Sequence, residues 1–441
     1  MGQHPAWSYF DHPPLNAWLL WLSSTLFGWN VFALRLPVAL SFFANIFAIY
    51  LIARRLCGDE WRGYFWLTLL LFLVTPIYWL VSSLALPDYM LQTCSLFAMA
   101  FFIGFFVDRA KGEPGRDRDL YLGALFLGFA GLAKYNAAIL AAALIFYILV
   151  SHRDLLRQPR LYLAGLLTIA MQAPVIYWNL TENFASWEFV LRGRHSGLRV
   201  SYDGIVLFGF GAFILLSPFL IWPMLKFTFG RTVVAGTGLT RWTFVISTIA
   251  ITVISLTTLV LPHWNLLAYL ALVPMLVFAM RPRWLILGQV IWGLVYIGAT
   301  FVNYAIKPLS EIDQWRDEAT AWSYGWAPIA AAVKSAEAEH KIGFIAAADY
   351  TTASLLAFNL QDRNVVSLSP KRDEYDYWFD PAAHAGQDAI LFGDTWRPLD
   401  GNITGRFKQV TLLATVPVIV AGQQLDTHQI YLATGYTPAD E

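Results

Sequence analysis

Charge is what this 441-residue chain has least of: 14% of its residues are Asp, Glu, Lys or Arg, against about 25% in ordinary water-soluble domains. Formal net charge is zero, so no basic field invites a nucleic-acid partner. Only two cysteines occur. Cys57 stands beside a basic loop and Cys94 inside an apolar run, so a disulfide framework is excluded and two buried thiols are expected. A cleavable leader is not visible, because Met1-Gly2-Gln3-His4-Pro5 has neither a basic start nor an apolar core. The region after residue 306 has no glycine-rich phosphate loop, CxxC pair or GxSxG elbow.

What is present is apolar. Hydrophobic residues make up 57% of the chain, with 19 Trp, 20 Tyr and 32 Phe. Spanning helices of about 20 apolar residues are predicted at 32–53, 63–83, 89–107, 119–133, 135–150, 161–178, 204–225, 242–261, 264–280 and 284–304. Residues 15–29 are apolar and Trp-rich but short, and read as a helix lying in the interface. The loops between spans separate by charge. One alternate set carries Arg54, Arg55 and Arg62, then Arg109, Lys111, Arg116 and Arg118, then Arg153, Arg157 and Arg160, then Lys226, Arg231 and Arg241, then Arg281 and Arg283. Positive-inside bias puts that set in the cytoplasm. The segment around His12, the loop at Asp88, the loop 179–203 and the C-terminal region then share the outer face. From about residue 306 the pattern changes to mixed helical and strand-like runs, a small α/β domain. The expected fold is mainly α: a polytopic transmembrane helical bundle over 1–305 and a small C-terminal α/β soluble domain over 306–441.

Ionisable groups near a bilayer are costly, so each is a functional candidate. On the outer side these are Asp11, His12, Arg35, Asp88, Lys134, Glu188, Arg192, Arg194, His195 and His263, with Trp264 beside the last. Singly, each could be an interface anchor whose long stem snorkels. Together they place acids and bases on one side only. Arg and Lys suit a phosphate, and a carboxylate with a histidine can hold a divalent cation; Asp11 with His195 is the candidate metal pair. The amphipathic segment 179–203 suits a surface helix against lipid headgroups.

Several ordered segments carry a resemblance. YFDHPPLNAWL, RLPVAL, LPDYMLQTCSLFAMAFF, GLAKYNAAIL, PVIYWNLTENFASWEFVLRG and LPHWNLLAYLALVP, followed by DYTTASLLAFNL and RDEYDYW, run over nearly the whole chain. In that order they resemble the polyprenyl-phosphate-sugar-dependent membrane glycosyltransferases of the GT-C class, and more narrowly glycosyltransferase family 39, which includes protein mannosyltransferases, aminoarabinose lipid A transferases and galacturonosyltransferases. The resemblance implies a bacterial inner-membrane enzyme that moves a sugar from a polyprenyl-phosphate carrier to an envelope glycan, lipid or protein on the periplasmic face. It implies a catalytic role for Asp88; substrate binding by His12, Arg35, Lys134, Arg192, Arg194, His263 and Trp264; and a divalent metal as the one cofactor, with no nucleotide or redox group. Relatives carry an Asp-Glu-aromatic motif about ten residues before the HPP element. Here Met1 stands only a few residues before it, so the principal acid is expected upstream of Met1. Rival readings are an inactive relative that binds a glycan or partner, and a lipid-linked sugar flippase. The purely apolar middles of most spans speak against a midplane transport site.

Overall fold

A computed structural model describes residues 1–191, 202–230, 234–280, 282–309 and 317–438. The chain divides into two compact units, Met1–Ile297 and Gly298–Glu441.

The first unit is helical. Its helices are α1 (Leu15–Phe27), α2 (Val31–Cys57), α3 (Trp61–Val74), α4 (Pro76–Val81), α5 (Pro87–Ala110), α6 (Asp117–Ala133), α7 (Ala137–Ser151), α8 (Pro159–Ala170), α9 (Ala173–Thr181), α10 (Ala185–Leu191), α11 (Tyr202–Leu216), α12 (Ile221–Phe229), α13 (Gly238–Ser255), α14 (Leu266–Leu272), α15 (Leu276–Ala279) and α16 (Arg283–Ala305). Among the described residues, five helical stretches are long and apolar enough to cross a membrane, or seven if each bent helix pair counts as one span.

One of these stretches, Val31–Val74, has 44 residues. Straight, it would measure about 66 Å, roughly twice the hydrocarbon thickness. It instead folds at Gly58, whose φ of 56° lies in the left-handed region that glycine enters freely. The two arms then pack together, with Tyr50 edge-on to Trp61 and Phe65. Prolines set the other breaks. Pro76 ends the expected 63–83 span as one helix and starts α4. Pro218 lies at a turn of 89° within the expected 204–225 span. In α2, Pro37 cannot donate to the Ala33 carbonyl, and the Ser23 hydroxyl of α1 supplies that bond at 2.7 Å. The missing donor thereby becomes a link between two helices.

The bundle is built around α5. From Pro87 to Asp108 every residue except Met90 is buried, as expected of a helix that is apolar all round. At its far end lies an ionic network. Asp108 accepts from Arg116 at 2.7 and 3.0 Å, Arg55 donates to Asp119 at 2.8 Å, Arg109 pairs with Asp154, and Arg160 pairs with Asp117. Much of the expected basic-loop set is therefore neutralised by acids at one end of the bundle.

Where apolar surface packs on apolar surface in lipid, close approach and hydrogen bonds hold helices together. Gln289 of α16 is fully buried. Its amide donates to the Thr75 hydroxyl at 3.0 Å and to the Leu216 carbonyl at 3.2 Å, and its oxygen accepts from Ser217. One turn on, Gly293 lies so close to α3 that an added Cβ would sit 1.7 Å from the Val74 carbonyl oxygen.

The second unit holds α17 (Glu318–Trp322), α18 (Trp326–Glu339), α19 (Tyr350–Leu360) and α20 (Gly401–Thr404), with strands β1 (Phe344–Ala347), β2 (Val365–Ser367), β3 (Ala389–Gly393), β4 (Phe407–Val420) and β5 (Gln423–Tyr436). The sheet order is β2-β1-β3-β5-β4. The β1 strand runs parallel to β2 and β3, and β5 is antiparallel to β3 and β4. This matches the strand-like runs read from the sequence. Pro417 is tolerated because β4 is an edge strand. The β4–β5 hairpin closes over Ala421 and Gly422, both at positive φ (51° and 83°), as a two-residue turn requires.

Gly293→Ala is expected to cost about 1–3 kcal/mol by overpacking. Gly298→Ala on the same helix, where an added Cβ meets nothing within 4 Å, should change little. Thermal unfolding of the two purified variants in detergent checks this; equal melting temperatures would refute the close approach.

Candidate functional site

Opposite the ionic network, segments distant in sequence meet at the other end of the first unit. The helix α5 begins with Pro87 at its first position and Asp88 in its first turn, where proline is preorganised and a carboxylate complements the helix dipole. The helix α6 ends at Lys134, whose extended backbone (φ −158°, ψ 139°) breaks the helix. The Lys134 ammonium donates to both oxygens of Asp88, at 2.8 and 2.9 Å. Both side chains are nearly removed from solvent, at 8% and 6% exposure. Two residues 46 apart in sequence thus form a buried ion pair at the lip of an apolar bundle.

Around this pair the neighbouring segments are tied by polar contacts. The Tyr135 hydroxyl meets the Ser186 hydroxyl at 2.8 Å, and the Asn136 amide donates to the Trp264 carbonyl at 3.0 Å. Asn265 is buried and accepts from Ser247 at 2.8 Å. His263, half-buried, feels the charges of both Asp88 and Lys134. Buried Asn179 accepts from the Trp187 backbone at 3.1 Å and so fixes the start of α10. The preceding turn holds Asn183 and Phe184 in the left-handed region, which is strained for residues with a Cβ.

The N-terminal segment lies against the same end. Phe10 packs on Phe189 with ring centroids 4.5 Å apart, Asn16 reaches the Ala85 carbonyl at 3.4 Å, and the Asp11 charge acts on Tyr135. Asp11 carries a buried carboxylate oxygen with no hydrogen-bond partner. His12 sits beside it, with Nδ1 against the Asp11 backbone carbonyl and 4.0 Å from the carboxylate. Arg35 is exposed and donates to the Ser83 carbonyl at 2.5 Å, which ties the start of α2 to the loop before Asp88. An apolar groove lined by Trp7, Leu15, Trp18, Leu19, Trp21 and Leu22 runs along α1.

Asp11, His12, Arg35, Asp88, Lys134, His263 and Trp264 therefore all lie at this end, with Asp88 and Lys134 in direct contact. Arg192, Arg194 and His195 lie outside the described residues, and with His195 goes half of the expected metal pair.

With this arrangement in view, comparison with known proteins is informative. The family described as dolichyl-phosphate-mannose-protein mannosyltransferase matches residues 11–178, which include Asp11, Asp88 and Lys134. No curated protein matches the sequence significantly. Two crystal structures of ArnT from Cupriavidus metallidurans, one in the apo state and one bound to undecaprenyl phosphate, superpose with a TM-score of 0.61 at 16% identity. Each match covers 96% of this chain and 88% of the other. The chain has the fold of the GT-C membrane glycosyltransferases. The polar end just described brings ionisable side chains from several segments of the helical unit together.

A second polar group was not singled out from the sequence. In the C-terminal unit, buried Asp394, Asp426 and His428 lie together and could hold a metal ion. Burial pushes the Asp394 carboxyl up to about 6 and pushes the His428 imidazole down, the latter against the pull of Asp426. The signal available in the sequence was Asp426-Thr427-His428, an acid and an imidazole on one face of a strand.

Removing one member of a buried ion pair strands the other charge, at a cost of about 3–5 kcal/mol. Asp88→Asn and Lys134→Met are each expected to lower thermal stability by that order. The double variant should regain a good part of it, as a double-mutant cycle on detergent-purified protein would report. Strictly additive losses would refute the coupling.

Proposed function

We propose that this chain transfers a sugar from a polyprenyl-phosphate carrier to a cell-envelope acceptor: lipopolysaccharide or lipid A, another glycan, or a protein. In this reading it is a multi-pass protein of a bacterial inner membrane. The end bearing Asp88 faces the periplasm, as does the C-terminal unit, and the arginine-rich loops face the cytoplasm. The observation that carries the proposal is the Asp88–Lys134 pair, a desolvated ammonium and carboxylate at the edge of a lipid-compatible bundle.

A lipid-linked phosphate brings its charge to the membrane edge and its tail into apolar surroundings. The groove along α1 suits such a tail. The phosphate competes with Asp88 for the Lys134 ammonium, and hydrogen bonds from a cation to phosphate oxygens are strong in a water-poor site. Lys134 then stabilises the charge that develops as the bond between the anomeric carbon and the phosphate oxygen breaks, and the electron pair leaves with the phosphate. The acceptor oxygen forms the new bond to that carbon, and its proton passes to a carboxylate. Asp88, released from Lys134, and Asp11, whose oxygen lacks a partner, are the groups placed to take it. His12 and His263 line the donor side, and Arg35 holds the loop before Asp88 in position. Holding both substrates in one orientation supplies much of the remaining acceleration.

Membranes containing the protein, incubated with a labelled polyprenyl-phosphate sugar, test this directly. Label transferred to an envelope acceptor supports the transferase. Intact lipid moved between leaflets would indicate a flippase, and retention without either would indicate a binding protein. Asp88→Asn and His12→Ala should each lower transfer on the order of 10²-fold, the usual loss on removing one preorganised polar group, with membrane insertion unchanged. Full activity in both would remove these residues from the site.

A further inference from the structure

The C-terminal unit carries a polar cluster that the transfer reaction does not use. Asp394 follows β3 directly, and Asp426 and His428 alternate along β5. Because β3 and β5 pair antiparallel with Gly393 opposite Gln429, the next position on each strand brings Asp394 across from His428. Spacing of two on a strand puts Asp426 on the same face as His428. All three are buried, at 1%, 3% and 1% exposure. One ligand atom of each lies within 4.8 Å of the other two.

The hydrogen bonds show which atoms are committed. Asp394 Oδ1 accepts from the backbone of Trp396 at 2.9 Å and Arg397 at 2.6 Å. Asp426 Oδ1 accepts from the backbone of Thr395 at 3.1 Å and Thr427 at 2.7 Å. Each carboxylate is thus clamped by one oxygen, and the Oδ2 of each has no hydrogen-bond partner. His428 Nε2 lies 3.5 Å from Asp426 Oδ2, and the Nδ1 of the same ring also lacks a partner. The ring is held by stacking on Phe392 at 5.2 Å. The cation that acts on Asp394, Arg397, is committed elsewhere: it pairs with Asp349 at 2.9 Å and with Glu318, and lies over Trp322 at 4.3 Å.

Orphaned carboxylate oxygens in a dry site are costly, each by several kcal/mol unless paired. A divalent cation satisfies them at once, and an imidazole with two carboxylates suits zinc or manganese. We propose that Asp394, Asp426 and His428 bind one divalent transition-metal cation of the zinc type, which ties β3 to β5. Three protein ligands leave one position of a tetrahedral shell for water. Tetrahedral ligands at about 2.0–2.1 Å from zinc sit roughly 3.3 Å apart. The 3.5 Å between Asp426 and His428 is near that already, and Asp394, within 4.8 Å of both, has to close by up to about 1.5 Å to reach the same spacing. The two backbone clamps act as the outer shell that orients such ligands.

The test uses the full chain purified in detergent, stripped with chelator and equilibrated with zinc. Elemental analysis should find one zinc per chain, and cobalt in its place should give a visible absorption band. Zinc should raise the melting temperature of the wild type by several degrees, as a ligand of the native state does. Asp394→Asn keeps the Oδ1 acceptor for the backbone clamp, and His428→Gln keeps a polar side chain of similar reach. Each should weaken zinc binding at least about tenfold and abolish the cobalt band. Both variants are checked for wild-type circular dichroism, and a misfolded one is replaced by Asp426→Asn. A wild type that neither binds zinc nor is stabilised by it, as two carboxylates sharing a proton would behave, overturns the proposal. So does zinc content unchanged in the variants.

Discussion

A charge taken out of water must find its opposite, and in this molecule that requirement is met where α5 starts and α6 ends. The Asp88–Lys134 pair holds the two helix ends in one place. The residues that flank the pair then fall into position around it: Tyr135 and Asn136 follow Lys134 and reach α10 and Trp264, while the loop before Asp88 meets Arg35 and Asn16. Apolar residues at both positions together would serve packing equally well or better. A desolvated ion pair at the edge of an apolar bundle is a candidate for function by default.

The two ends of the helical unit solve different problems. At one, Arg55, Arg109, Arg116 and Arg160 are neutralised by Asp119, Asp154, Asp108 and Asp117, and Arg116 meets both oxygens of Asp108 in a fork-like contact. At the other, the cation is a lysine, a compact point charge that can change partners, and an Asp11 oxygen is left without one. The first end is a network of several arginine–aspartate pairs, and the second joins one buried lysine–aspartate pair to a buried Asp11 oxygen.

The GT-C fold is held at 16% identity to the solved ArnT structures. A bundle in an apolar setting tolerates wide exchange of Leu, Ile, Val, Phe and Ala if volume and pattern are kept. What it does not tolerate freely are the points of close contact, such as Gly293 against Val74, and the buried polar links such as Gln289.

Hydrophobic runs and alternating arginine loops made the helical architecture legible in the sequence, because solvation in lipid acts on composition and period. The strand-like runs of the C-terminal unit were legible because strands of a small sheet bury short, β-branched and apolar runs. The residues of the candidate site could be named, since charges near apolar spans are conspicuous. Their pairing could not: Asp88 and Lys134 stand 46 residues apart, and Asp394 is separated from His428 by a whole hairpin strand. Pro76 and Pro218 mark helix breaks locally, but which carboxylate meets which cation depends on packing between distant segments. Local sequence determines what a side chain can do, and the tertiary structure decides which partner is near enough for it to do so, because electrostatic and hydrogen-bond energies depend on distance while the chain's numbering does not record it.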